Sequence, residues 1–182
     1  MKDLSLHILD IVQNSIRAQA ESIRIILEIG ADGVMKLVVE DNGSGMDAEL
    51  LARIRDPFVT TRTTRRVGLG IPLLAQKAEQ AGGFLSIGSE PAKGTRLEAG
   101  FRISHPDCPP MGDIPGVAYL LITGNRELHL VVILRSHKGE WVWDSTRIGE
   151  TLEGISLQQP EIREGLLDWF NSEFQLFKQN LK

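Results

Sequence analysis

The stretch Val38-Val39-Glu40-Asp41-Asn42-Gly43-Ser44-Gly45-Met46 leads from an apolar segment into a carboxylate and then into two glycines spaced two apart. This pattern is typical of a strand that ends in a tight turn. The two glycines let the backbone after Asp41 bend sharply and let a flat ligand approach it closely. On this stretch alone a plain Asn-Gly turn is the simpler interpretation, so the function of Asp41 depends on the segments around it.

The segments on either side predict an α+β domain in residues 1–104. Alternating apolar residues predict strands, and apolar residues at helical spacing predict helices, the first of them capped by Asp3 or Ser5. The expected order is helix, strand, strand, short helix, loop, helix, strand and strand, at about residues 4–20, 23–29, 34–40, 46–56, 58–67, 70–81, 84–89 and 95–103. Most of these connections are hairpins. We therefore expect a two-layer α/β sandwich, with a mixed and mainly antiparallel sheet that carries helices on one face.

Residues 105–182 differ in composition and are predicted to form a small α/β extension, docked on the first domain or linked to it. Four breakers mark its start: Pro106, Pro109, Pro110 and Gly112. Beyond them we expect a helix at about 114–122, strands at about 128–134 and 140–144, and helices from about 146 and at 161–178. The last helix carries an apolar stripe typical of packed core, composed of Ile162, Leu166, Trp169, Phe170, Phe174 and Phe177.

Composition limits the classes of function. The chain has 182 residues and a net charge of -4, which argues against a general binder of nucleic acids or anionic membranes. The single cysteine, Cys108, excludes an internal disulfide framework. No apolar run approaches the ~20 residues of a membrane span, and Asp3 and Asp10 fall where an export signal would be apolar. We therefore expect a cytoplasmic protein.

Four features of the first domain suit a nucleotide. Asp41 offers an acceptor for an exocyclic amine such as that of adenine, and Gly43 and Gly45 let a planar base lie against the backbone. Gly68-Leu69-Gly70 opens a helix whose free N–H groups attract phosphate. Hydroxyls and cations that could wrap a polyphosphate follow one another: Thr60, Thr61, Arg62, Thr63, Thr64, Arg65 and Arg66. Each feature alone also fits a turn or a solvated loop, and it is the combination that favours a nucleotide.

Asp10 and Asn14 lie one turn apart on one face of the first predicted helix. Asn14 supplies a neutral oxygen, and Mg²⁺ takes few protein ligands beside phosphate oxygens and waters. Asp10 is placed to take a proton from an attacking water or hydroxyl. The alternative for Asp10 is an exposed carboxylate paired with Lys2, His7 or Arg17, and both interpretations stay open.

Residues 4–103 resemble the ATP-binding domain shared by histidine kinases, DNA gyrase, the heat-shock chaperone ATPase and MutL-type mismatch-repair proteins, often called the Bergerat fold. The matching motifs are Asp10-Ile11-Val12-Gln13-Asn14 for the N box, 41–45 and 68–70 for the two glycine boxes, 56–62 for the sensor-kinase F box, and Lys93-Gly94-Thr95 for the closing Gly-Thr element. The resemblance implies ATP and Mg²⁺ as ligands. It implies that Asn14 binds Mg²⁺, that Asp41 receives the adenine amine and that Thr95 supports the adenine. The implied ATP-binding residues are Asn14, Asp41, Gly43, Gly45, Met46, Phe58, Thr60, Thr61, Arg62, Gly68, Leu69, Gly70 and Thr95, with Asp10 as the candidate general base.

The sequence departs from the family pattern at two points. Sensor kinases carry a phosphorylatable His on a helical hairpin before the N box, whereas only three residues precede the first predicted helix here. We therefore do not expect a self-contained sensor histidine kinase, nor His7 as phosphoacceptor. Members that hydrolyse ATP, and the anti-sigma serine kinases, carry Glu where this chain has Asp10. Sensor kinases usually carry Asn there, and Asp is one methylene shorter than Glu.

These features predict an Mg-ATP-binding regulatory protein that acts in trans as a protein kinase or slow ATPase in bacterial signalling. The alternative is a non-catalytic module, in which ATP orders the Thr/Arg loop and residues 105–182 hold or release a partner. Both hypotheses expect ATP and another protein as partners, without nucleic acid or membrane, and both leave a homodimer open. A fragment of a DNA-topology or mismatch-repair ATPase is less favoured, because residues 105–182 are short and no basic face is evident.

Overall fold

The computed structural model describes residues 3–54, 69–125, 127–157 and 159–181, which form one six-stranded sheet and six α-helices. The elements are α1 Leu4–Arg17, β1 Ser22–Ile29, β2 Val34–Asp41, α2 Ala48–Arg53, α3 Gly70–Gln80, β3 Phe84–Glu90, β4 Gly94–Arg102, α4 Ile114–Gly124, β5 His129–Ser136, β6 Gly139–Asp144, α5 Ser145–Thr151 and α6 Pro160–Lys178. A short 3₁₀ turn, Gln179–Leu181, follows. The predicted loop at 58–67 lies outside the described residues.

The sheet has the strand order β3-β4-β2-β1-β5-β6. Its neighbours pair antiparallel except β1 and β5, which are parallel. The expected α+β class, with a mixed and mainly antiparallel sheet, is confirmed. Parallel pairing of β1 with β5 requires the long connection between them, since neighbouring parallel strands cannot be joined by a hairpin.

Helix α1 packs on the sheet and supplies one wall of the site. Asp3 caps it, since its Oδ1 accepts from the Leu6 N–H at 3.1 Å. The apolar residues that recur at helical spacing in α1 form an inward stripe and are buried: Leu4, Ile8, Ile11 and Val12, with Ser15 at its C-terminal end. The stripe anchors α1 and carries Ser15 to the edge of β2, where that strand ends in Asp41.

Strand register gathers polar residues at one end of the sheet. Asp41 on β2 is the partner of Thr95 on β4, and Thr95 is the partner of Ser89 on β3. Side chains two residues apart on a strand share a face, so Val39 and Leu97 lie on the same face as this row. Both are 2% exposed and belong to the core. The polar row formed by Asp41, Thr95 and Ser89 therefore lies beside an apolar floor formed by Val39 and Leu97.

Residues after 105 share the sheet and the core with the first hundred residues. Strand β5 matches β1 residue for residue over eight pairs, from Ser22↔His129 to Ile29↔Ser136. Helix α6 covers β6, where the ring of Trp143 stacks on Phe170 with centroids 4.4 Å apart. Of the predicted stripe, Phe170, Phe174 and Phe177 are buried, but Trp169 is 39% exposed. Trp169 precedes Phe170 by one residue, about 100° round the helix, so the two rings cannot point inward together.

Candidate functional site

A cavity of about 350 Å³ opens between α1, α2, α3 and the end of the sheet that carries Asp41. Small-molecule pockets in proteins commonly start at about 300 Å³, so this one admits a ligand of that class. Its lining residues are Asp10, Ile11, Asn14, Ser15, Arg17, Ala18, Val39, Asp41, Ser44, Gly45, Met46, Leu50, Ile54, Gly70, Ile71, Pro72, Thr95 and Leu97. Apolar side chains form much of the wall, and polar groups stand at defined places between them.

Both carboxylate oxygens of Asp41 accept hydrogen bonds from the protein. Ser15 Oγ donates to Oδ2 at 2.6 Å, and the Gly43 N–H donates to Oδ1 at 2.9 Å. One donor comes from α1 and the other from the loop after β2, so the carboxylate is held from two elements. Each oxygen keeps further lone-pair sites for a ligand donor.

The loop that follows Asp41 is held between α1 and the β3–β4 hairpin. The Ser44 N–H donates to the Ala18 carbonyl at 2.8 Å, and the Ser44 carbonyl accepts from the Ala92 N–H at 2.7 Å. Gly45 has φ of 65°, and a Cβ there would overlap the Glu90 carbonyl oxygen. Only glycine meets both conditions without strain. Gly45 therefore serves the close packing of this loop on the hairpin.

Ser89 joins the loop to the polar row of the sheet. Its Oγ accepts from the Met46 N–H and donates to the Gly94 carbonyl, each at 2.9 Å. It also lies 2.9 Å from Thr95 Oγ1, a contact in which either oxygen can donate. One hydroxyl thus fixes Met46 and Thr95, which both line the cavity.

Asn14, Arg17 and Asp10 of α1 also line the cavity. Asn14 Oδ1 accepts from Arg17 Nη1 at 2.6 Å. The carboxylate of Asp10 lies so close to Gly70, the first residue of α3, that a Cβ on Gly70 would overlap Asp10 Oδ2. Within the described residues no three His, Cys, Asp or Glu side chains gather as a metal cluster. Among the described side chains of α1 that line the cavity here, the carboxylate of Asp10 and the amide oxygen of Asn14 are oxygen donors for a metal.

His7 lies one turn before Asp10 on α1 and is 1% exposed. Neither of its ring nitrogens has a hydrogen-bond partner among the residues that the structure describes. Burial lowers the pKa of His7 from 6.5 to about 4, and Lys77 of α3 acts in the same direction, against the opposing charges of Asp10 and Asp3. His7 is therefore a neutral imidazole within the core, outside the cavity lining.

The structure brings seven of the sequence-predicted site residues to the cavity: Asp10, Asn14, Asp41, Gly45, Met46, Gly70 and Thr95. Gly43 stands behind the lining and contributes its N–H to Asp41. Leu69 is 48% exposed and is not among the lining residues. The others lie outside the described residues: Phe58, Thr60, Thr61, Arg62 and Gly68.

Sequence reasoning missed three polar contributors, namely Ser15, Arg17 and Ser89. A signal for Ser15 was present, because it is a hydroxyl within the inward apolar stripe of α1 and directly follows Asn14. The sequence indicates Arg17 only as an alternative ion-pair partner of Asp10. Ser89 gave no signal, since its contacts depend on the pairing of β3 with β4. The apolar walls from α2 and α3 likewise appear only once the helices are packed.

A family model described as histidine kinase-, DNA gyrase B-, and HSP90-like ATPase matches residues 2–107. The chain belongs to this ATPase family. Membership implies ATP binding and agrees with the predicted resemblance, and the matched range contains every residue that lines the cavity. The nucleotide interpretation of the Asp41 stretch thus gains support that is independent of the cavity geometry.

Among relatives, the ATPase domain is similar to sensor kinases. It is 38% identical over 90 residues to the sensor protein kinase FleS of Pseudomonas aeruginosa, which covers 48% of this chain and 22% of that protein. It is 39% identical over 90 residues to the sensor protein TorS of Escherichia coli, and the match covers 48% of this chain and 10% of that protein. It is 36% identical over 72 residues to the sensory histidine kinase/phosphatase NtrB of Rhizobium leguminosarum, and the match covers 40% of this chain and 17% of that protein. The chain thus spans less than a quarter of each of these three relatives.

Among solved structures, the ATPase fold is similar to the N-terminal domain of a DNA repair protein. The TM-score is 0.57 and the identity 16%, over 87% of this chain and 59% of that one. At this identity the likeness concerns the fold alone. It extends beyond the first 107 residues, in keeping with the continuous sheet. In the described part of the chain, no helix has both the length and the apolar character that crossing a membrane requires.

Proposed function

We propose that the cavity binds Mg-ATP and that the protein acts in trans as a protein kinase or slow ATPase in bacterial regulation. The observation that carries the nucleotide part is Asp41, a carboxylate held by two donors at the end of a cavity with an apolar floor. An anchored acceptor beside apolar surface suits the exocyclic amine and the flat face of adenine. Val39 and Leu97 provide the apolar surface.

Other groups of the cavity, at the start of α3 and along α1, suit the phosphates and the cation. Gly70 begins α3, and N–H groups at a helix start attract phosphate oxygens. Arg17, which donates to Asn14, adds a guanidinium to the lining. Asn14 would hold Mg²⁺ through the lone pair of its amide oxygen that Arg17 Nη1 does not use, with phosphate oxygens and waters as the other ligands, which fits the few oxygen donors that the described residues place here. Bound Mg²⁺ would neutralise charge on the phosphates.

The kinase or ATPase part of the proposal draws on Asp10 and on the relatives. Two similar proteins are kinases by name, the sensor protein kinase FleS and the sensory histidine kinase/phosphatase NtrB, so transfer of phosphate to another protein is the reaction to test first. Asp10 lines the cavity next to Gly70. There it would take the proton from the attacking hydroxyl of a partner protein, or from water, as a new bond to the terminal phosphorus forms and ADP leaves. A cytoplasmic location with a partner protein belongs to the same proposal.

Calorimetric titration of ATP into an Asp41→Asn variant tests the nucleotide site. The amide replaces an acceptor with a donor toward the adenine amine, so we expect affinity to fall by more than about tenfold, which is about 1.4 kcal/mol. Asp32→Asn is the matched control. Asp32 lies in the turn at the other end of β2 and accepts from the Val34 N–H, a bond that an amide oxygen preserves. Equal ATP affinity in the wild type and the Asp41→Asn variant would rule out this site.

A second candidate is an ATP-dependent interaction module without turnover. It is favoured by the contact between Asp10 and Gly70, because a carboxylate packed against the start of α3 is poorly placed to reach an attacking water. Release of phosphate and phosphorylation of a partner, compared in the wild type and Asp10→Ala, separate the two candidates. A kinase or ATPase loses turnover in Asp10→Ala with ATP binding retained. Absence of turnover in a wild type that binds ATP supports the module.

A further inference from the structure

We propose that Ser15 is a positioning residue that aims the carboxylate of Asp41 and so gives the cavity its preference for a purine with a 6-amino group. The inference rests on the proposed nucleotide function and names the base class that the same site selects. Ser15 is 4% exposed, lines the cavity and belongs to α1, whereas Asp41 belongs to the end of β2. Their contact is therefore a tertiary one.

The direction of the hydrogen bond follows from its length and its partners. Ser15 Oγ lies 2.6 Å from Asp41 Oδ2 and 3.4 Å from the Ile11 carbonyl. A hydroxyl bond to a carboxylate is normally 2.5–2.7 Å long and is stronger than a bond between neutral groups. The single proton of Ser15 is therefore donated to Asp41, and the long contact to Ile11 is secondary.

Two donors fix the orientation of the Asp41 carboxylate. The terminal torsion of an aspartate is broad, so one hydrogen bond leaves the plane of the carboxylate free to turn. The Gly43 N–H holds Oδ1 at 2.9 Å and Ser15 holds Oδ2, from different elements. With both bonds in place, the lone pairs of Asp41 that accept no bond from the protein are held in a fixed direction relative to the cavity. Removal of Ser15 leaves the Gly43 bond alone, and the carboxylate gains rotational freedom.

The same arrangement explains the choice of base. With its proton donated to Asp41, Ser15 presents only lone pairs to a ligand, and the Asp41 carboxylate likewise accepts. At this end of the cavity two acceptors thus stand together. A 6-amino group donates to them, whereas a 6-oxo group would place a third acceptor beside them and leave buried polar atoms unpaired. Ser15 thereby helps Asp41 to distinguish amino from oxo purines.

The helix supplies a matched control at its other end. Ser5 is 3% exposed and its Oγ donates to Asp3 Oδ1 at 2.7 Å, so residue type, burial and bond resemble those of Ser15. Ser5 is not among the cavity residues. Ser5→Ala therefore reports what the loss of a buried serine hydroxyl in α1 does to the fold alone.

The test compares two ligands in two variants by calorimetric titration, with thermal unfolding as the measure of folding. The ligands are ATP and purine riboside triphosphate, which lacks the 6-amino group but keeps the ring, the sugar and the phosphates. In Ser15→Ala we expect affinity for ATP to fall about fivefold to tenfold, the usual range for one polar positioning contact, and affinity for the analogue to change by less than about twofold. In Ser5→Ala we expect both affinities to stay within about twofold of the wild type.

Two results overturn the inference. One is an unchanged ratio of the ATP and analogue affinities in Ser15→Ala, either because neither affinity changes or because both fall in parallel through a general disturbance of the cavity. The other is an equal loss of ATP affinity in Ser5→Ala. A wild type that binds neither ligand is a different failure, because it removes the proposed nucleotide site itself and not only the role of Ser15.

Discussion

The carboxylate of Asp10 touches the backbone of Gly70, and a side chain at position 70 would overlap Asp10 Oδ2. The contact joins α1 to the first residue of α3 at the rim of the cavity. A carboxylate at this place is favourable, because the start of a helix carries partial positive charge. Gly70 is needed here for space and not for an unusual φ, unlike Gly45, whose φ is positive.

Gly70→Ala should therefore displace Asp10. Overpacking of a close contact typically costs about 1–3 kcal/mol, and we expect a loss of unfolding free energy in this range with weaker ATP binding. Urea unfolding and calorimetric titration measure the two effects. Gly165→Ala in α6 is the control, because among the described residues no atom outside the neighbouring helix backbone lies within 4 Å of the added Cβ. It should stabilise the protein by about 0.5–1 kcal/mol through helix propensity.

A double variant identifies the cause of the Gly70 effect. In an Asp10→Ala background the added methyl group has no carboxylate to displace, so Gly70→Ala should cost less than in the wild type. Neighbouring residues that interact give non-additive free energies of unfolding. Strict additivity of the two substitutions would contradict the proposed clash.

Ser89→Ala should loosen the loop that lines the cavity. The variant leaves the Met46 N–H without its acceptor and removes the partner of Thr95 Oγ1. We expect a loss of about 1–3 kcal/mol in unfolding free energy and a several-fold loss of ATP affinity. Ser86→Ala on the same strand is the control, since Ser86 is exposed and belongs to the opposite face. Equal ATP affinities in Ser89→Ala and Ser86→Ala would argue against a role for Ser89 in holding the loop that lines the cavity.

His7 should make stability depend on pH. Burial depresses the pKa of His7 to about 4 in the folded state, below the 6.5 of an unfolded chain. Between these values the unfolded chain binds a proton that the folded protein excludes, so the free energy of unfolding falls as pH decreases. The slope is at most about 1.4 kcal/mol per pH unit, and His7 contributes no pH dependence above about pH 6.5.

Replacing His7 isolates this contribution. Because neither ring nitrogen has a hydrogen-bond partner within the described part of the chain, His7→Leu should leave stability at pH 7 unchanged or higher and should flatten the curve between pH 6.5 and pH 4. The exposed His137, changed to Leu, is the control and should keep the slope of the wild type. Urea unfolding at several pH values provides the measurement. A wild-type slope in His7→Leu would mean that other groups cause the acid sensitivity.

Glu173 should stabilise the packing of α6 on β6. Trp143 is fully buried, and its Nε1 donates to Glu173 Oε2 at 2.7 Å. Glu173→Ala leaves this donor unpaired, which we expect to cost about 1–3 kcal/mol, whereas Glu173→Gln keeps an acceptor and should cost less. Tryptophan fluorescence during urea unfolding follows the change. Glu164→Ala, at an exposed position of α6, should be neutral, and a comparable cost there would assign the effect to helix propensity.

Local signals in the sequence were sufficient for most of the fold. The Asp3 cap, the inward stripe of α1 and the two hairpins of the first domain depend on residues close together in the chain, and the structure confirms them. The pairing of β5 with β1 joins residues more than 100 positions apart, as in the ion pair between Arg135 and Glu28. Periodicity identifies a strand but carries no information about its partner, so this pairing could not be predicted.

The candidate site divides in the same way. The sequence by itself determined the ATPase family and several cavity residues, among them Asp41, Gly45, Asn14 and Gly70. These residues could be predicted because glycines, a carboxylate at a strand end and an Asn on a helix meet chemical requirements of the ligand and occur in short motifs. Tertiary structure alone decided which groups hold those residues in place. Ser15 reaches Asp41 across 26 positions and Ser89 reaches Met46 across 43, and such contacts exist only once α1 and the β3–β4 hairpin have packed against the end of β2.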